Sequence, residues 1–176
     1  AEGEGQIWFN TTSSDYKTIT KVAGAWATGG SLNTARLALG GAGTQTAGLA
    51  FGGGPPEVAI SEEYNGSAWA EGDDLNQERR MLAGAGTQTA GLAFAGTTPG
   101  NTDETETYDG SSWTEVGDLN TARRELTGCG IQTAALAIDG QVTASVAIVE
   151  NYNGTSWTEV GDTNTARSEQ PGGLGT

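Results

Sequence analysis

The feature that most constrains this chain is a repeat of about 44 residues. Its clearest copy runs Tyr108-Asp109-Gly110-Ser111-Ser112-Trp113-Thr114-Glu115-Val116-Gly117-Asp118-Leu119-Asn120-Thr121-Ala122-Arg123. The pattern returns from Tyr64 through Trp69 to Asn76 and Arg79, and from Tyr152 through Trp157 to Asn164 and Arg167. A weaker copy surrounds Trp26, Asn33 and Arg36. The four tryptophans stand 43 or 44 residues apart. A period of this size marks stacked supersecondary units that share a continuous core.

Within one period every local signal is β. Leu37 to Gly43 reads as a strand of small residues, Gly43 to Thr46 as a turn, and Ala47 to Phe51 as a second strand. Glu57 to Tyr64 alternates as a third strand, Asn65-Gly66 signals a two-residue hairpin, and Ser67 to Glu71 makes a fourth. Gly72 to Arg79 is a loop into the next unit. Gln45, Gln88 and Gln132 recur in the first turn. No segment sustains a 3.6-residue period, so helices are few or absent.

Four antiparallel strands per 40 to 50 residues is the layout of a β-propeller blade. The Gly doublet after the second strand, Glu-x-Tyr in the third, Trp in the fourth and Arg about ten residues later resemble the kelch repeat. One copy supplies Gly52-Gly53, Glu62, Tyr64, Trp69 and Arg79; the next supplies Gly96, Glu106, Tyr108, Trp113 and Arg123; the last supplies Gly140, Glu150, Tyr152, Trp157 and Arg167. Ala95-Gly96 and Asp139-Gly140 replace the doublet in two copies, and Val22 stands near the expected Tyr in the first. The resemblance implies a single domain over residues 1–176. Its blades would be 1–28 plus 168–176, then 36–71, 80–115 and 124–159.

The last residues, Pro171 to Thr176, resemble a first strand, and the first, Gly5 to Asn10, resemble a second strand. The expected fold is therefore all-β: four four-stranded blades, closed by pairing of the C-terminal strand with the N-terminal blade. The alternative is an arc of a larger propeller.

Composition narrows the chemistry. With 8 basic against 22 acidic residues the formal charge is -14, which repels nucleic-acid phosphates and excludes nucleic acid as an expected partner. No apolar run approaches the roughly 20 residues of a membrane helix, so membrane insertion is not expected. There is no His, the commonest general base and metal ligand. The single cysteine, Cys129, occupies the slot of Ala42 and Ala85; it is either a small packed side chain or a reactive thiol.

Strand alternation puts the 1–2 and 3–4 turns on one face, and the 2–3 loops and inter-blade loops on the other. The 2–3 loops differ between copies, and variable loops on a fixed scaffold are the default place for recognition. They contain Pro55 and Pro56 in one copy, Thr98, Pro99 and Asn101 in another, and Gln141 in the third. Arg80 and Arg124 add a second basic position in two blades only, which makes them candidates for an exposed contact. Trp8 breaks the pattern in a slot otherwise held by Ala50, Ala93 and Ala137. These nine residues are the candidate binding set.

Residues that recur in every blade read as framework. Trp26, Trp69, Trp113 and Trp157 either stack on sugars or pack between blades. Tyr64, Tyr108 and Tyr152 belong to the same scaffold. Arg36, Arg79, Arg123 and Arg167 either ring the axis to capture an anion or bridge blades toward Glu62, Glu106 and Glu150. Asp73, Asp74, Asp118 and Asp162 either hold their turns or offer oxygen ligands to a hard cation, although their spacing matches no calcium loop. No metal site, cofactor or catalytic residue is expected, because the near-identical blades offer no set of unlike convergent groups. The expected function is a non-catalytic structural or interaction module with a protein partner, set on a virion or other extracellular surface. That setting follows from similarity to kelch-like arrays of phage and microbial surface proteins. Glycan binding is the alternative.

Overall fold

The computed structural model describes the backbone of residues 7–10 and 15–18 and all of residues 28–169. The N-terminal ribbon is β1 (Ile7–Asn10) paired with β2 (Asp15–Thr18). Sheet A contains β3 (Gly40–Thr44), β4 (Ala47–Phe51), β5 (Ser61–Tyr64) and β6 (Trp69–Glu71). Sheet B contains β7 (Ala83–Thr87), β8 (Ala90–Phe94), β11 (Thr105–Tyr108) and β12 (Trp113–Glu115). Between β8 and β11, β9 (Thr97–Thr98) and β10 (Gly100–Asn101) form a small hairpin. Sheet C contains β13 (Thr127–Ile131), β14 (Ala134–Ile138), β15 (Val149–Tyr152) and β16 (Trp157–Glu159). Each of the three sheets is an antiparallel meander in sequence order, and no helix occurs among the described residues.

This all-β, propeller-like arrangement corrects the closed four-bladed ring. Among the described residues three sheets have four strands, β1 and β2 pair only with each other, and no sheet closes. Strand register gives the physical reason. The third-strand Glu62, Glu106 and Glu150 stand opposite Ala50, Ala93 and Ala137. In the ribbon, Trp8 stands opposite Lys17, three residues before Thr20, which holds the Glu slot if Val22 holds that of Tyr. β1 and β2 are joined by four residues, where the second and third strands of the other units are joined by nine or ten, so the ribbon does not repeat their register and is not a fourth equivalent. Trp26 and the proposed closing strand, Pro171 to Thr176, lie outside the described residues.

Local expectations also change: the third strand of sheet A starts at Ser61 rather than Glu57, and the fourth at Trp69 rather than Ser67. The first strand of sheet A starts at Gly40 rather than Leu37, because Ala38 adopts a left-handed φ of 56° and turns the chain into the sheet. Met81, Glu125 and Glu169 repeat that conformation, with φ of 56°, 55° and 57°. The four are joined in series: Met81 N–H donates to Ala38 O, Glu125 N–H to Met81 O, and Glu169 N–H to Glu125 O, at 2.7, 2.9 and 3.1 Å. The Asn-Gly turn is a four-residue loop instead of a two-residue hairpin, since the positive φ falls on Gly66 alone. Asn65 Oδ1 accepts from the N–H groups of Ser67 and Ala68, both at 3.0 Å, and so caps the loop. Asp109 and Asn153 do the same, which explains why Asn and Asp exchange there: only the shared acceptor oxygen is used.

The core lies between the sheets. Phe51 of sheet A packs edge-on against Trp113 of sheet B at 5.1 Å between ring centroids, and Phe94 of sheet B meets Trp157 of sheet C at 4.9 Å. Such pairs are worth about 0.5–1.5 kcal/mol beyond the area they bury. Both indoles reach a hydroxyl of the preceding sheet, Trp157 donating to Thr105 Oγ1 at 3.0 Å and Trp113 to Ser61 Oγ at 3.5 Å. The first strands β3, β7 and β13 lie side by side with backbones in contact. A Cβ on Gly84 would come within 2.6 Å of Gly41 O, and one on Gly128 within 2.6 Å of Gly84 O, so only glycine allows this spacing.

Candidate interaction surface

The framework that carries the loops is set by the Asn-x-x-Arg segment before each sheet. Arg36 pairs with Glu62 at 2.5 Å, Arg79 with Glu106 at 2.7 Å, and Arg123 with Glu150. The Arg79–Glu106 and Arg123–Glu150 side chains are at most 1 % exposed, so neither charge has water to fall back on. Asn33, Asn76 and Asn120 complete each clamp. The backbone N–H of each donates to the same Glu, and the side-chain amide donates to the carbonyl of Trp69, Trp113 or Trp157. Burial pushes the Glu62 carboxyl up, but the Asn33 N–H, Arg36 and the Thr34 N–H together hold it below the usual range. Each linker thereby locks onto the sheet it precedes.

Arg167 differs from its three equivalents. It is exposed, and its side chain has no hydrogen bond or ion pair with the described residues. Trp113, Trp157, Tyr108 and Tyr152 are buried, with Trp69 and Tyr64 half-buried. Tyr108 donates to Glu63 of the preceding sheet at 2.6 Å, and burial followed by that carboxylate pushes its phenol strongly up.

The variable residues sit above this framework and are tied to one another. Arg80 Nε donates to Glu57 Oε1 at 2.8 Å, and its backbone pairs with Thr97. Arg80 is the first cause holding the Glu57 carboxyl below the usual range. Arg124 donates to Asn101 Oδ1 at 2.8 Å and to the Gln141 side-chain oxygen, while its backbone bridges Gln141. Asn101 in turn donates to the carbonyls of Gln141 and Val142, both at 3.0 Å. Arg80 and Arg124 are thus half-buried ties between the 2–3 loop of one unit and the start of the next. Pro99, at the tip of the β9–β10 hairpin, is exposed, and Thr98 is half-buried. Pro55 and Pro56, both exposed, line a hollow of about 230 Å³ with Leu37 and Val58. Leu37 stands in the slot of Arg80 and Arg124 and is 60 % exposed. The side chain of Trp8 is not among those described.

Sequence reasoning missed Glu57 and Leu37. Glu57 belongs to one copy only, a signal that its non-equivalence could have supplied. The acidic loop residues serve the sheets: Asp74 Oδ1 accepts from the Ser61 N–H and Asp118 Oδ1 from the Thr105 N–H. Among the described residues no group of acidic or sulfur ligands is placed to hold a metal ion. Cys129 lines an open cleft of about 380 Å³ beside β3, β7 and β13, whose walls are chiefly glycine and alanine. No protein-family model and no curated protein matches this chain.

Proposed function

We propose that this chain is a non-catalytic interaction module of a virion or other extracellular surface, binding a protein partner through its 2–3 loop face. The observation that carries the reading is the coupling of the variable residues. The segments in which the copies disagree are bound to one another through Arg80, Arg124, Asn101 and Gln141, over a framework of repeated buried clamps. A surface that varies while remaining preorganised loses little entropy on binding. The kelch-like repeat residues, and their similarity to arrays in phage and microbial surface proteins, support the setting.

Cell and particle fractionation with quantitative mass spectrometry tests the reading. Recovery of the chain in purified virions or the outer-surface fraction is expected, and recovery only from the cytosol contradicts it. A glycan array separates protein from carbohydrate recognition: selective sugar binding that depends on residues 97–101 would replace the protein partner with a glycan.

A further inference from the structure

Two of the three loops that join third to fourth strands carry a chemically reactive pair. Asn65-Gly66 and Asn153-Gly154 occupy equivalent positions, and Asp109-Gly110 holds the third. Asn65, Gly66 and Asn153 are exposed, and Gly154 is half-buried. Asn is among the chemically labile side chains, because the backbone nitrogen that follows it can attack its Cγ. A glycine there brings no Cβ to hinder the approach. The N–H groups of Gly66 and Gly154 make no hydrogen bond with the described residues, so neither nitrogen is tied up. The carbonyl to be attacked is held by donors. Asn65 Oδ1 accepts from the Ser67 N–H at 3.0 Å, the Ser67 hydroxyl at 2.9 Å and the Ala68 N–H at 3.0 Å. Asn153 Oδ1 accepts from the Thr155 and Ser156 N–H groups, both at 2.9 Å, and its amide nitrogen donates to Ser156 Oγ at 3.4 Å. The amide nitrogen of Asn65 donates to no described residue.

We propose that Asn65 and Asn153 are self-modification sites, at which the folded chain converts an amide to a carboxylate. The Gly66 nitrogen gives its proton to water and bonds to Asn65 Cγ, and negative charge gathers on Oδ1. The donors on that oxygen bind the charged intermediate more strongly than the amide, which lowers the barrier. The Cγ–Nδ2 bond then breaks, Nδ2 takes up a proton and leaves as ammonia, and a cyclic imide remains. Water opens the imide, so one water is consumed and one ammonia released, with no change of oxidation state. Opening at Cγ gives aspartate. Opening at the backbone carbonyl gives isoaspartate, which routes the main chain through Cγ and loses the capping oxygen. The fold already accepts the aspartate form. In the third loop Asp109 Oδ1 takes the same bonds, from the Ser111 N–H, the Ser111 hydroxyl and the Ser112 N–H, all at 2.8 Å. Asn65 reacts before Asn153, because it has the extra hydroxyl donor and an untethered leaving group. Each conversion adds one negative charge to the formal -14.

Incubation of the folded chain at neutral pH, well below its melting temperature, with timed peptide-mapping mass spectrometry tests this. The acid form should accumulate at Asn65 first and at Asn153 next. Asn120, whose amide is bound by Glu150 and the Trp157 carbonyl, should stay intact. Ser67→Ala removes one donor at an exposed site and should slow conversion at Asn65 about threefold or more, with Asn153 unchanged. Asn65→Asp should keep the melting midpoint of the wild type. Retained amides at both positions in the folded chain, under conditions in which the urea-unfolded chain converts, overturn the proposal. Equal rates at Asn65 in the wild type and Ser67→Ala overturn it too, as does an Asn65→Asp chain that melts clearly below the wild type.

Discussion

At the scale of single residues, one hairpin position separates charge from shape. Asn65, Asp109 and Asn153 cap equivalent loops with the same acceptor oxygen, but only Asp109 titrates. Hydrogen bonds from the Ser112 N–H and then from Ser111 hold its carboxyl below the usual range. A depressed folded-state value means a stabilising contribution that is complete above the unfolded value, about pH 4, and lost as pH falls through the folded one. Asp109→Asn should therefore leave the loop intact and make acid unfolding less steep. Parallel unfolding-versus-pH curves for the two proteins would contradict this. The exchange of Asn for Asp was legible in the sequence as a turn signal. The loop length was not, because it depends on which residue adopts positive φ.

Among the elements, the linker clamps decide how the sheets hold together. Removing one member of a buried, hydrogen-bonded ion pair leaves the other charge stranded and costs about 3–5 kcal/mol. Glu106→Ala leaves Arg79 only the longer contact with Glu104 at 3.6 Å and strands two amide donors of Asn76, so a loss toward the lower end of that range is expected in denaturant unfolding, with separation of sheet A from sheet B. A loss below about 1 kcal/mol, the level of an exposed pair, would show that the clamp does not bear on stability. The second strands were readable directly, since Ala47 to Phe51 is a short apolar run between turn residues. First strands were misplaced because Ala38, an ordinary residue in sequence, holds a left-handed conformation through hydrogen bonds to another unit. The same limit applied at the loop face. That Arg80 and Arg124 differ from their counterparts was visible in the repeat. Their ties to Glu57 and Asn101 join residues 23 apart in different units, which no local pattern encodes.

For the molecule as a whole, the 44-residue period predicted the β class and the row of similar sheets, but not how the row ends. Closure depended on whether the first unit repeated the strand register of the others, and the four-residue connection between β1 and β2 shows that its described part does not. The net charge of -14 adds self-repulsion that salt screens, whereas the buried clamps are screened little. Moderate added salt should raise the thermal midpoint, and a fall would mean that exposed ion pairs outweigh that repulsion. The division between repeated framework and variable loops is the central claim, and the most direct measurement is of a loop variant in place. Thr98→Ala with Pro99→Ala touches none of the clamps and should melt within about 0.5 kcal/mol of the wild type. Expressed beside the wild type, it should be depleted from the virion or surface fraction by quantitative mass spectrometry. Equal recovery of the folded variant and the wild type would contradict recognition through this face.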